Sequence, residues 1–154
     1  ACMAAAASCY ALPPRVLPAI QQVEGGRIGT VAADPDGTSD LGVMQVNTRW
    51  LAPLAGITRL TEAEVRARLI LDPCFNIAAA AAILRTYRAE SHGDLMAAIG
   101  DYHSHTPALN LAYRQAVVRA AELLFGGSGR RRDRAGAGVA TTDGRPVTPD
   151  RGRR

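Results

Sequence analysis

Pro14-Arg15-Val16-Leu17-Pro18-Ala19-Ile20-Gln21-Gln22-Val23-Glu24-Gly25-Gly26 is the stretch on which the fold turns. Leu17, Ile20 and Glu24 recur at i, i+3 and i+7, so the spacing predicts a helix whose apolar stripe carries an acid in its last turn. Gly25-Gly26 then ends it, as glycine commonly ends helices. A carboxyl in that place is partly desolvated and meets the negative end of the helix dipole. Both effects favour its neutral form. An acid that stays protonated near neutral pH is equipped for general acid catalysis. A solvated glutamate before an ordinary helix stop fits the same residues, and position alone does not choose between the two.

Outward from this segment, nearly every start and stop is helical. Thr61-Glu62-Ala63-Glu64 reads as a capping box with Thr61 at N-cap and Glu64 at N3, leading a helix through Val65 and Leu69. Asp72-Pro73 starts the next, which runs from Cys74 to Glu90 with Ile77, Ala81, Leu84 and Tyr87 or Arg88 near one face. Asp94 caps a short helix through Met96, Ile99 and Tyr102. Thr106-Pro107 opens the last, with Leu109, Tyr113, Val117 and Leu124 as inner positions and Gly126 at its end. Between Gly25 and Asp40 lies a polar loop, and a short hairpin is compatible with its weak alternation. A long irregular segment directly after the acid is more often functional than idle.

The chain has 154 residues and a net charge of +4. From Gly126 onward, eight arginines against three aspartates give +5, which leaves −1 on residues 1–125. The excess basic charge therefore belongs to a Gly- and Arg-rich tail expected to be disordered, and the body has no charge-based case for binding nucleic acid. No segment reaches the length of a membrane-spanning helix, so a soluble chain is expected. The opening Ala-Cys-Met-Ala-Ala-Ala-Ala-Ser is similar to the end of an export signal. The expected organisation is a flexible remnant over 1–8, one domain over 9–125 and the tail over 126–154.

Cys2, Cys9 and Cys74 have no zinc spacing. A Cys9–Cys74 bridge would stabilise by roughly 4 kcal/mol in the chain-entropy model. Two small buried thiols fit the spacing equally well.

Taken in order, the pieces from residue 9 to 119 resemble the soluble lytic transglycosylase family, glycoside hydrolase family 23, and its small members associated with secretion, conjugation and pilus systems. They are Ala19 to Gly26, Asp40-Leu41-Gly42-Val43-Met44-Gln45-Val46-Asn47-Thr48-Arg49-Trp50, Gly56-Ile57, Asp72-Pro73-Cys74-Phe75-Asn76-Ile77, Tyr102-His103-Ser104 with Thr106-Pro107, and Tyr113 with Val117. The resemblance implies a mainly α, lysozyme-like fold and peptidoglycan glycan strands as substrate. It implies Glu24 as the catalytic acid, Gln45 in contact with sugar, Tyr102 close to the acid with its hydroxyl placed to donate to it, and Met44 and Tyr113 as further cleft positions. It also favours a Cys9–Cys74 disulfide, with Cys2 left over, and a periplasmic or secreted monomer that works beside a secretion, conjugation or pilus apparatus. Two positions depart from the family: Gly25 and His103 stand where many members have Ser and Asn.

Ordinary glycosidases use two carboxyl groups. Asp34, Asp36 and Asp40 are the candidates for a second, but Asp34-Pro35-Asp36-Gly37 is good turn chemistry and Asp40 is placed to cap the turn after it. The resemblance implies a reaction that needs only Glu24, with a 1,6-anhydromuramyl product. A muramidase and a noncatalytic wall-binding or assembly module are the alternatives. No cofactor is expected, and no metal, because His103-Ser104-His105 lacks a third ligand at helical spacing and His92 stands apart. Trp50, beside Leu51 and Leu54, reads as core more readily than as a sugar platform.

Overall fold

The computed structural model describes residues 1–126. Seven helices and one small sheet make up the fold among these residues: α1 (Cys2–Cys9), α2 (Val16–Glu24), β1 (Val31–Ala33), β2 (Ser39–Leu41), β3 (Val46–Asn47), α3 (Leu51–Thr58) after a 3-10 turn (Thr48–Trp50), α4 (Glu62–Leu71), α5 (Pro73–Glu90), α6 (Leu95–His103) and α7 (Pro107–Phe125). The expected basic tail, from residue 127, lies outside the described residues.

The caps behave as the sequence predicts. The Thr61 hydroxyl accepts from the Glu64 N–H at 3.2 Å, and the Thr61 N–H donates to Glu64 Oε2 at 2.8 Å. Asp72 accepts from the N–H groups of Cys74 and Phe75, both at 3.0 Å, with Pro73 at the first helical position. Asp94 does the same for Met96 and Ala97. At α7 only Pro107 marks the start, because Thr106 makes no side-chain cap bond.

α5 runs through the middle of the core. Ile77, Ala79, Ala80, Ala81, Ile83 and Leu84 are buried along it, and the small residues let α1, α4 and α6 come close. On α2 the apolar stripe is realised, with Leu17 and Ile20 buried. α7 packs on α2 and α6 through Tyr113, Val117 and Ala120. Leu109 and Leu124, expected on that inner stripe, are exposed instead. The reason is length: α7 has 19 residues whereas α2 and α6 have nine each. At about 1.5 Å per residue its ends overhang its neighbours.

Two expectations for the N-terminal part are corrected. Residues 2–9 form a helix whose Ala6 and Ala7 are buried, so the segment is part of the domain and not a flexible remnant. Its docking on α5 brings Cys2 to Cys74 with Cα atoms 5.3 Å apart, and these two form the disulfide. Cys9, two helical turns further on, is free and exposed. The expected Cys9–Cys74 pairing is therefore replaced by Cys2–Cys74.

The loop after α2 holds a three-stranded antiparallel sheet in the order β1-β2-β3. Asp40 pairs with Ala32 on one side and with Asn47 on the other. One buried side chain ties this sheet to the helices. Asn76, on α5, donates to the carbonyls of Leu41 and Leu69, both at 2.8 Å, and accepts from the Met44 N–H at 2.9 Å. All three of its hydrogen bonds span separate elements, so it fixes the end of β2 against the end of α4.

Candidate active site

Glu24 occupies the last turn of α2, and Gly25 ends the helix in the left-handed region at φ 64°. Gly26 then passes so close to the following loop that a Cβ there would lie 2.2 Å from the Gly42 carbonyl oxygen. Gly42 is equally constrained, with φ 69° and a would-be Cβ 2.1 Å from the Leu69 carbonyl oxygen. These two glycines let the Gly42–Asn47 segment lie directly against the end of the acid-bearing helix.

The Tyr113 hydroxyl, from α7, donates to Glu24 Oε1. Burial pushes the Glu24 pKa up to about 7; the Tyr113 hydrogen bond opposes the shift and the charge of Asp40 adds to it. Burial and the nearby Glu24 raise the Tyr113 pKa, so its hydroxyl stays a neutral donor.

A cleft of about 520 Å³ opens beside this pair. Its lining includes Asp40, Gln45, Asn47, Trp50, Tyr102 and His103. Glu24 and Tyr113 are joined to that wall through His103. His103 stacks flat on the Tyr113 ring at 4.7 Å, and the Tyr102 pKa is raised by burial and then by the charges of Glu24 and Asp40.

The candidate residues are thus gathered in one place, with three differences from expectation. Tyr102 donates to the Met44 carbonyl at 2.8 Å, so the hydrogen bond to the acid comes from Tyr113. Met44 is fully buried, and its side chain belongs to the core while its backbone anchors Tyr102 and Asn76. Asp40 does not cap a turn: it sits in β2, where Asn47 Nδ2 donates to its Oδ1 at 2.9 Å.

Gln45 reaches the cleft from a strained left-handed backbone, φ 50°, and its amide donates to the Gly42 carbonyl at 2.7 Å. Asp34 and Asp36 accept from the Thr38 hydroxyl at 3.1 and 2.6 Å, the turn role assigned to them. Trp50 is half-buried; it meets Tyr87 edge to face at 5.6 Å, and Tyr87 meets His105 at 5.4 Å, all three on the cleft wall. Among the described residues no group of three or more His, Cys, Asp or Glu is arranged to hold a metal.

Asn47 and Asn76 were not singled out from sequence. Each lies in a motif segment, but the bonds that give it importance join positions 7 to 35 residues apart.

An acid with a raised pKa, a neutral hydroxyl donor and a polar cleft meet on a helical scaffold, groups of the kind that acid-assisted glycoside cleavage uses. The transglycosylase SLT domain model matches residues 1–123, and the chain belongs to that family. Its fold is the mainly α, lysozyme-like fold of that domain. The match starts at residue 1, in keeping with α1 being part of the domain. Family membership indicates a lytic transglycosylase with peptidoglycan as substrate. No curated protein matches the chain.

Proposed function

We propose that the protein cleaves the β-1,4 bond between N-acetylmuramic acid and N-acetylglucosamine, with Glu24 acting first as acid and then as base. The observation that carries this reading is a glutamic acid held near pKa 7 beside a sugar-sized cleft. Glu24 gives its proton to the glycosidic oxygen as the bond to the anomeric carbon breaks, and the substrate's acetamido oxygen supports the positive charge left behind. The ionised Glu24 then removes the proton of the muramyl C6 hydroxyl, whose oxygen bonds to the anomeric carbon. The product is a 1,6-anhydro sugar and no water is consumed.

One group serves as both acid and base most effectively when its pKa lies near the working pH. Tyr113 supports the second half of the cycle, because its hydrogen bond favours the ionised carboxylate. Gln45, Tyr102 and His103 on the cleft wall are placed to meet the glycan.

The Cys2–Cys74 bridge supports work outside the reducing cytoplasm, in the periplasm or after secretion. The motif likeness to members found with secretion, conjugation and pilus systems supports local wall opening during the assembly of such a machine.

Digestion of purified peptidoglycan, read by mass, tests the reading. The wild type is expected to release anhydromuropeptides, one water lighter than the hydrolysed product, and Glu24→Gln to be slower by roughly two to four decades with its fold intact. Undiminished cleavage by that variant would rule out Glu24, and products of full mass would make the enzyme a muramidase.

A further inference from the structure

His103 is the last residue of α6 and stands exposed on the cleft wall. Tyr113, which holds the acid, is only 6 % exposed and takes no part in that wall. The two rings are parallel to within 6° with their centroids 4.7 Å apart, inside the range of attractive aromatic stacking. The imidazole therefore lies between the phenol ring and the open cleft.

The backbone around His103 is tied down so that this stack is kept. Asn110, one turn before Tyr113 on α7, donates from Nδ2 to Asp101 Oδ1 at 2.9 Å and to the Ser104 carbonyl at 3.2 Å. Residues on both sides of His103 are thus bound to the helix that carries Tyr113. Gly100 permits the approach, since a Cβ there would lie 2.1 Å from Asn110 Oδ1. The Ser104 N–H closes α6 on the Gly100 carbonyl at 3.0 Å, and the Ser104 hydroxyl accepts from the Thr106 N–H at 3.1 Å, which fixes the turn into α7.

The hydroxyl of Tyr113 sits at the far end of a ring that swings about its Cα–Cβ bond. A ring free on its cleft side would move outward and leave Glu24; the imidazole fills that space. Asn, the residue that many family members have at this position, has no ring to lay on the phenol. We propose that His103 is a positioning residue, a brace stacked on Tyr113 that keeps the phenol hydroxyl on Glu24. The inference rests on the proposed reaction at Glu24 and adds to it. His103 exchanges no proton in that cycle and acts through Tyr113, so its effect falls on turnover.

The test is a set of variants assayed on purified peptidoglycan, each checked for an unchanged fold by circular dichroism. His103→Ala is expected to lower turnover by about tenfold, the upper scale of one stacked aromatic pair, and His103→Phe, which restores a flat ring, to recover most of that loss. In a Tyr113→Phe background the hydroxyl is already gone, so adding His103→Ala is expected to cost less than about twofold. An active wild type with His103→Ala at full rate overturns the proposal. So does a His103→Phe variant no better than His103→Ala, or a full tenfold loss in the Tyr113→Phe background, which would make His103 a direct contact of the glycan. An inactive wild type overturns the functional reading and this inference with it.

Discussion

Glu24 gains a pKa near 7 from burial, and the same burial makes it a local cost to the fold once ionised. Its folded pKa lies above the 4.5 of an unperturbed glutamate, so between those values the native state holds a proton that the unfolded chain has lost. Stability therefore falls as pH rises through that window, by about 3 kcal/mol if the whole shift is expressed. Glu24→Gln is expected to raise the melting temperature at pH 8 and to leave it little changed at pH 4, measured by thermal unfolding at both. Tyr113→Phe removes the bond that favours the ionised acid. The alkaline limb of its activity profile should move to higher pH, read from rates across pH 5 to 9. The apolar stripe and its acid were legible in the sequence because the spacing of Leu17, Ile20 and Glu24 is local. Which tyrosine reaches the acid was not, since Tyr113 lies 89 residues away and only the packing of α7 on α2 brings it in.

At the scale of elements, the helices were easier to read than the sheet. Thr61, Asp72, Asp94 and Pro107 mark their helix starts through chemistry confined to a few residues. Strands of two or three residues are too short to display a period of two, and a polar loop was the natural reading. α1 was missed for a related reason: an alanine-rich run buries only Ala6 and Ala7 and shows no amphipathic pattern. Asn76 holds these poorly signalled pieces to the helical body. Asn76→Ala would leave two carbonyls and one N–H buried without partners, at about 1 kcal/mol or more each. We expect a fall in melting temperature on the order of 10 °C, measured by circular dichroism, together with loss of activity as Met44 and its bond to Tyr102 shift. Gly42→Ala would drive a methyl into the Leu69 carbonyl and the Asn76 amide, and soluble folded protein is not expected.

Across residues 1–126 a bond ties Cys2, on α1, to Cys74 at the start of α5. The Cys2–Cys74 bridge spans 72 positions, which the chain-entropy model values at roughly 4 kcal/mol. Cys2→Ser is expected to unfold more than 10 °C below the wild type, and Cys9→Ser to match it. Peptide mapping without reductant should join the Cys2 and Cys74 peptides and leave Cys9 open to alkylation.

Cys9 sits on the same helix as Cys2, seven residues on, so the rise of α1 separates the two thiols by about 10 Å, too far to bridge while the helix stands. In the nascent chain no such spacing is enforced, and three thiols offer three possible bridges. Oxidative folding of this protein is thus a contest, in which Cys2–Cys9 is the short loop that closes first and must be opened by the Cys74 sulfur attacking Cys2, with Cys9 as the leaving thiol, before α1 can form. The Cys9 thiol freed by that step can reopen Cys2–Cys74 by exchange only where α1 unfolds and lets it reach Cys2. Yield in an oxidising compartment should therefore depend on a disulfide isomerase, and replacing Cys9 by Ser should lift that dependence.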